Sequence, residues 1–189
     1  MRDHPVYEAI HRVAQVMFDE SYLGIHHGSL SARLDHASFV INRREAMFGA
    51  LGEEDWIGLE CGVEDYRRAS ASIDAPIHEA IYRRMPQAKF VAHTVPPYVG
   101  AWALEHDRLT PRDYFGATLL GEVEVYDPGA FEDWHRRAPS EIAEYLGARE
   151  RSIMVIRGYG VYVLGRDAAA MAKRVAVLEA SARWVMLAS

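Results

Sequence analysis

The stretch from Ser72 to Tyr98 constrains this chain more than any other, because it sets a helix, the end of that helix and a strand in close succession. Asp74 can accept hydrogen bonds from the free N–H groups of a helix beginning beside it, Pro76 fits the first turn, and Ile77, Ala80, Ile81 and Met85 share one face. Pro86 stops the helix at Met85. Phe90-Val91-Ala92 then reads as a short buried strand that carries His93 to its C-terminal end, just before Pro96 and Pro97. Ligands of layered α/β folds sit at such strand ends.

Around this stretch the periodicity predicts a helix over Pro5 to Tyr22, with Val6, Ile10, Val13 and Met17 buried and Asp3 near its start. A half-buried strand follows at Leu30 to Leu34, where Leu30, Ala32 and Leu34 alternate with Ser31 and Arg33. Asp35-His36-Ala37 turns the chain into a returning strand, Ser38 to Asn42. Gly52 to Trp56 reads as a helical turn, Ile57 to Glu60 as a strand, and Cys61 to Ser72 as a loop. Tyr98 to Glu105 reads as a short helix and Val123-Glu124-Val125 as a strand. Pro139 and Ser140 open a helix over Glu141 to Leu146 that Gly147 closes. Two apolar strands, Ser152 to Arg157 and Val161 to Leu164, are joined by the tight Gly158-Tyr159-Gly160 turn. Asp167 caps the longest helix, Ala168 to Leu187. With no repeat, linker or low-complexity tract, residues 1–189 are expected to form a single domain. It is of α/β class, a three-layer α/β/α arrangement with a central mixed, mainly antiparallel sheet covered by helices.

Composition narrows the partners. A formal charge of -6 offers no basic surface for a phosphodiester backbone, so nucleic acid is not expected. No apolar run approaches the roughly 20 residues of a membrane span, and the N-terminal residues lack the apolar core of a signal peptide. Cys61 is the single cysteine and forms no internal disulfide. The expectation is a cytoplasmic protein.

Four pieces in order, Gly28-Ser29-Leu30-Ser31-Ala32-Arg33, Ser72-Ile73-Asp74-Ala75-Pro76-Ile77-His78, Val91-Ala92-His93-Thr94-Val95-Pro96-Pro97-Tyr98 and Arg157-Gly158-Tyr159-Gly160-Val161, resemble the class II aldolase/adducin family over nearly the whole chain. The resemblance implies a homo-oligomer, a tetramer in the family's aldolases, and a small, phosphorylated hydroxy-carbonyl substrate. Those aldolases hold a catalytic zinc with a His-x-His pair after the central strand and a third histidine before the late hairpin glycine. Here His93 matches the first, but Val95 and Tyr159 stand at the other two positions. A valine donates nothing to a metal, so no cofactor is expected, unless zinc or another divalent ion is held in a rebuilt site by His93 with Asp74 and His26 or His27. The family's glutamate acid/base falls at Asp74, one methylene shorter. Its phosphate-binding positions fall at Gly28 and Ser29, at Asn42, Arg43, Arg44 and Glu45, and at Ser72 and Ile73. Tyr114 falls where the aldolases present a tyrosine to a neighbouring subunit's site.

Each of these residues also has a plainer reading. Asp74 serves equally as a helix cap, His93 as a polar residue at a strand end, and His78 as a packing or hydrogen-bonding residue. Gly28-Ser29 is a turn or an anion-binding corner; Arg43 and Arg44 are solvated or replace lost phosphate contacts. Tyr159 fills the volume of the absent metal or donates its phenol to a substrate oxygen. Two functions follow: a divergent aldehyde-lyase-like enzyme working without the usual zinc site, with Asp74, Tyr159 and Tyr114 as catalytic candidates, or an inactive aldolase-fold protein that binds or assembles.

Overall fold

A computed structural model describes residues 5–148 and 150–188; Asp3, expected near the start of the first helix, lies outside them. Eight strands form one sheet in the order β3-β2-β1-β4-β8-β7-β6-β5. They are β1 (Ser29–Arg33), β2 (Ser38–Asn42), β3 (Trp56–Glu60), β4 (Phe90–Thr94), β5 (Arg108–Leu109), β6 (Val123–Tyr126), β7 (Ile153–Ile156) and β8 (Gly160–Gly165). Of the pairings between these strands, β6–β7 is parallel and the rest are antiparallel. Helices α1 (Pro5–Asp19), α3 (Pro97–Glu105), α4 (Tyr114–Leu119) and α6 (Ala168–Leu187) go with one face, and α2 (Ala75–Arg84) and α5 (Trp134–Ala148) cover the other. The mixed, mainly antiparallel three-layer arrangement expected from the sequence is the one observed.

Strand alternation divides the core. Leu30 and Ala32, Phe90 and Ala92, and Val161 and Val163 pack under α1, α3 and α6, whereas Val91, Tyr162 and Leu164 pack under α2 and α5. Because both faces are covered, β1 is not half-buried as its alternation suggested. Ser29 and Ser31 are fully buried on the α2 side.

Two further local expectations are corrected. Helix α5 begins at Trp134, not after Pro139, which lies inside it. Pro139 forfeits one helical bond, while Asp133 anchors the first turn through its carbonyl, accepting from the backbone N–H groups of Arg136 and Arg137, and through its carboxylate, paired with Arg137. Between Cys61 and Ser72 the chain makes a 3-10 turn, Tyr66–Ala69. Arg68 pins this segment by pairing with the buried Glu79 at 2.6 Å. Strand β5 and helix α4 had no signal strong enough to be read, being two and six residues long.

Gly160 sets how closely β8 approaches the strand beside it. It adopts a φ of +134°, and a Cβ there would lie 2.5 Å from the Thr94 carbonyl oxygen and 2.8 Å from His93 Nε2. Gly129 also has positive φ, +67°, but faces open space. In urea denaturation Gly160→Ala is expected to cost about 2–4 kcal/mol, against about 1 kcal/mol for Gly129→Ala. Equal losses would show that the β8–β4 approach is not tight.

Candidate active site

Sheet register builds the site. Ser29 of β1 lies opposite His93 of β4, and His93 lies opposite Tyr162 of β8, so three side chains stand in a row on the face under α2. The His93 and Tyr162 rings are stacked 4.7 Å apart with a 4° interplanar angle, the spacing of neighbouring strands. Tyr159, from the turn before β8, also stacks against His93 at 4.7 Å.

Asp74 arrives from above, at the start of α2. It does not cap the helix through its side chain. The Ala75 N–H donates to the Ser72 carbonyl, Pro76 has no N–H, and the Ile77 and His78 N–H groups reach the Asp74 carbonyl. The helix start is therefore satisfied by backbone, and the carboxylate is free to point into the sheet. There Asp74 Oδ2 accepts from Ser29 Oγ at 2.6 Å and from His93 Nδ1 at 2.9 Å. Burial alone would push this carboxyl up. The charge and hydrogen bond of His93, with lesser help from His78 and Ser29, outweigh it and hold Asp74 well below the usual carboxylate range.

Behind Asp74 runs a closed hydrogen-bond chain. Ser29 gives its proton to Asp74, so it accepts from His78 Nε2 at 2.8 Å; His78 Nδ1 then accepts from Ser31 at 2.6 Å, and Ser31 accepts from the Tyr82 hydroxyl at 2.8 Å. Complete burial pushes His78 down to about 3, which keeps it neutral and consistent with that assignment. His93 Nε2 faces the Tyr159 carbonyl oxygen at 3.2 Å. Both contacts of the His93 ring are hydrogen bonds when both nitrogens carry protons. Asp74 Oδ1 is left with the Tyr159 hydroxyl, 3.5 Å away. Burial raises the Tyr159 and Tyr162 phenols, so both remain protonated, and neither the Tyr162 hydroxyl nor the Trp134 Nε1 beside Tyr159 has a hydrogen-bond partner among the described residues.

A cleft of about 540 Å³ opens over this group. Of the residues singled out from sequence, it brings together Gly28, Asn42, Arg43, Arg44, Ser72, Asp74, His93 and Tyr159, with His26 and His27 also on its wall. Ser29 lies beneath, reached only through Asp74. Asn42 has a structural task, accepting from the Leu30 N–H and donating to the Arg43 carbonyl. Tyr114 is not in this cleft; it is 76 % exposed on α4, against Phe115. No three His, Cys, Asp or Glu side chains among the described residues converge in a way that would hold a metal ion. Sequence reasoning missed Ser31, Tyr82, Tyr162 and Trp134, whereas His78, expected to pack or to hydrogen-bond, does both. Asp74, His78 and Tyr82 recur every fourth residue on one helix, facing two serines two apart on a strand, and that double periodicity was the available signal.

The model of the Class II Aldolase and Adducin N-terminal domain matches residues 8–186. The chain belongs to the class II aldolase family. Among its relatives is the L-fuculose phosphate aldolase of Methanocaldococcus jannaschii, 21 % identical over 179 residues and covering 93 % of both chains. The methylthioribulose-1-phosphate dehydratase of Methylococcus capsulatus is 26 % identical over 168 residues, covering 80 % of this chain and 78 % of the relative. The crystal structure of the L-fuculose-1-phosphate aldolase from Thermus thermophilus superposes with a TM-score of 0.85 at 26 % identity, over 98 % of this chain and 95 % of that one. No helix among the described residues is long and apolar enough to cross a membrane.

The depressed Asp74 carboxyl makes stability depend on pH. Its native value lies below the unfolded 3.8, so its contribution is complete above about pH 5 and is lost as pH falls through the native value. Asp74→Asn is expected to lower unfolding free energy by about 3 kcal/mol at pH 7 and by progressively less below pH 4. A deficit that stays constant from pH 7 to pH 3, measured by urea denaturation, would refute the ion pair.

Proposed function

We propose that this cleft binds a small phosphorylated hydroxy-carbonyl compound and that the protein is a divergent aldehyde-lyase-type enzyme working with protein groups in place of the family's zinc. The observation that carries this reading is the meeting, in one cleft, of two unpaired guanidinium side chains, Arg43 and Arg44, with the buried Asp74–His93 pair. Neither arginine makes a side-chain hydrogen bond or ion pair among the described residues, so both are available to a phosphate.

The residues present do not fit a zinc ion. His93 is the one histidine at a ligand position, and its two nitrogens are engaged by Asp74 and by the Tyr159 carbonyl, while the Tyr159 and Tyr162 rings stack against it. Val95 and Tyr159 supply no nitrogen. No step is therefore routed through a metal. In a retro-aldol cleavage, a base takes the proton of the β-hydroxyl, the bond between the α and β carbons breaks, and negative charge collects on the carbonyl oxygen. Asp74 Oδ1 is the oxygen of the buried pair left for the first task, and the Tyr159 hydroxyl and the arginines are the donors available for the last.

One observation favours the second reading, a binding protein without turnover. The contacts that keep Asp74 ionised also weaken it as a proton acceptor. Tyr114, exposed on α4 beside Phe115, can serve only a neighbouring copy's cleft, which fits the expected homo-oligomer.

Calorimetry with dihydroxyacetone phosphate and turnover assays with ketose 1-phosphates, including L-fuculose 1-phosphate, separate these readings. The enzyme reading expects both binding and aldehyde release; binding without aldehyde supports the second, and no binding sinks both. Replacing both Arg43 and Arg44 with alanine should weaken binding at least about tenfold. Stoichiometric metal is expected only after Val95→His and Tyr159→His are combined, measured by elemental analysis. One equivalent of zinc in the unaltered protein would overturn the account of the donor set.

A further inference from the structure

A second hollow lies at the other end of the central strands. β4 begins at Phe90 where β8 ends at Gly165, the two residues being paired, and His93 stands towards the opposite end of both. The hollow measures about 300 Å³ and is bounded by the turn before β4, the residues before β7, the end of β8 and the second turn of α6. Its floor is apolar and closed, with Met85, Ala88 and Leu164 each no more than 4 % exposed. Its polar lining is Gln87, Glu150, Ser152, Arg166 and Arg174.

Arg174 is the decisive group. It is partly buried, and its Nη1 donates to the Leu164 carbonyl at 3.1 Å and to the Ala170 carbonyl at 3.4 Å. Two neutral carbonyls fix the plane of the guanidinium without cancelling its charge, and its Nε and Nη2 have no partner among the described residues. Arg166, exposed on the wall, has no acidic partner among them either, and the Ser152 hydroxyl makes no hydrogen bond there. The neighbouring Arg151 differs, since it pairs with Glu124 at 2.7 Å and stacks over the Tyr145 ring. A guanidinium held in place with one edge unused is a receptor for an oxyanion. Glu150 sets the charge of that anion. Two guanidinium groups against one carboxylate leave a single positive charge, which a monoanion balances, whereas a dianion would leave an excess and be repelled by Glu150.

We infer that this hollow binds a small monocarboxylate, its oxygens on Arg174 and Arg166 with Ser152 Oγ as a further donor, at a site separate from the cleft and independent of the function proposed for it. Met85 forms the floor, so the methyl resonance of ¹³C-labelled methionine, assigned with Met85→Leu, reads occupancy without an assay of activity. Acetate, propionate and lactate titrated into the protein are expected to shift that resonance saturably, and equally so in the combined Arg43→Ala, Arg44→Ala variant. Arg166→Ala and Arg174→Gln, the latter keeping an amide donor for the Leu164 carbonyl, should each weaken binding at least about tenfold. Inorganic phosphate at about pH 8, where it is largely a dianion, should bind more weakly than acetate. In Glu150→Gln it should gain more affinity than acetate does, a change that loss of folding cannot imitate. Absence of a saturable shift overturns the site. A shift that is unchanged in both Arg166→Ala and Arg174→Gln, or abolished in the Arg43, Arg44 variant, places the carboxylate elsewhere and overturns it too. Phosphate binding as tight as acetate in the unaltered protein overturns the assignment to a monocarboxylate.

Discussion

One buried carboxylate organises the middle of this molecule. Asp74 is nearly inaccessible, yet it stays ionised because a serine hydroxyl and a histidine N–H converge on a single one of its oxygens. An unpaired charge at such a depth would cost several kcal/mol, so the helix is stable in its docked position only with the surrounding groups in place. Their placement follows from strand register. Ser29, His93 and Tyr162 are side by side only because β1, β4 and β8 pair in the alignment that sets Ser29 against His93 and His93 against Tyr162. A slip of one residue would turn all three to the other face of the sheet, beneath α1, α3 and α6 and away from the carboxylate.

The same arrangement gives the site its chemical character. The chain Tyr82–Ser31–His78–Ser29–Asp74 runs in one direction, with each hydroxyl donating onward and a neutral histidine passing the sense of the bonds through its two nitrogens. Each member of it has a partner, which is what allows a network of this length to lie in the core. Its cost is base strength, since a carboxylate stabilised in its charged form gives up proton affinity.

The fold was legible because it rests on periodicity. Alternation in the strands, 3.6-residue spacing in α1, α2 and α6, and the Asp167 cap, which accepts from the Ala170 N–H as a capping aspartate should, are local properties of the chain. Where local rules failed, a neighbour had overruled them. Pro139 reads as a helix start, but Asp133 and Arg137 nucleate α5 a turn and a half earlier. Ser31 reads as solvent-facing, but α2 covers it and supplies both of its partners. Asp74 reads as a cap, but the Ser72 carbonyl and Pro76 had already relieved the helix of the need for one.

From the order of residues alone one could read the family, the layered α/β architecture, and a cleft at the end of β4 containing Asp74, His93, Tyr159, Arg43 and Arg44. The layered architecture depends on patterns carried within a few residues of each position, and the gathering of the cleft residues was implied by the family resemblance. Only the packed molecule showed that His93 is stacked against two tyrosine rings with both nitrogens taken, that Asn42 is engaged by backbone, and that Tyr114 lies outside its own cleft. Those facts concern which groups from distant parts of the chain compete for the same hydrogen bond or the same surface. That competition is decided by distances that exist only after β1, β4, β8 and α2 have come together.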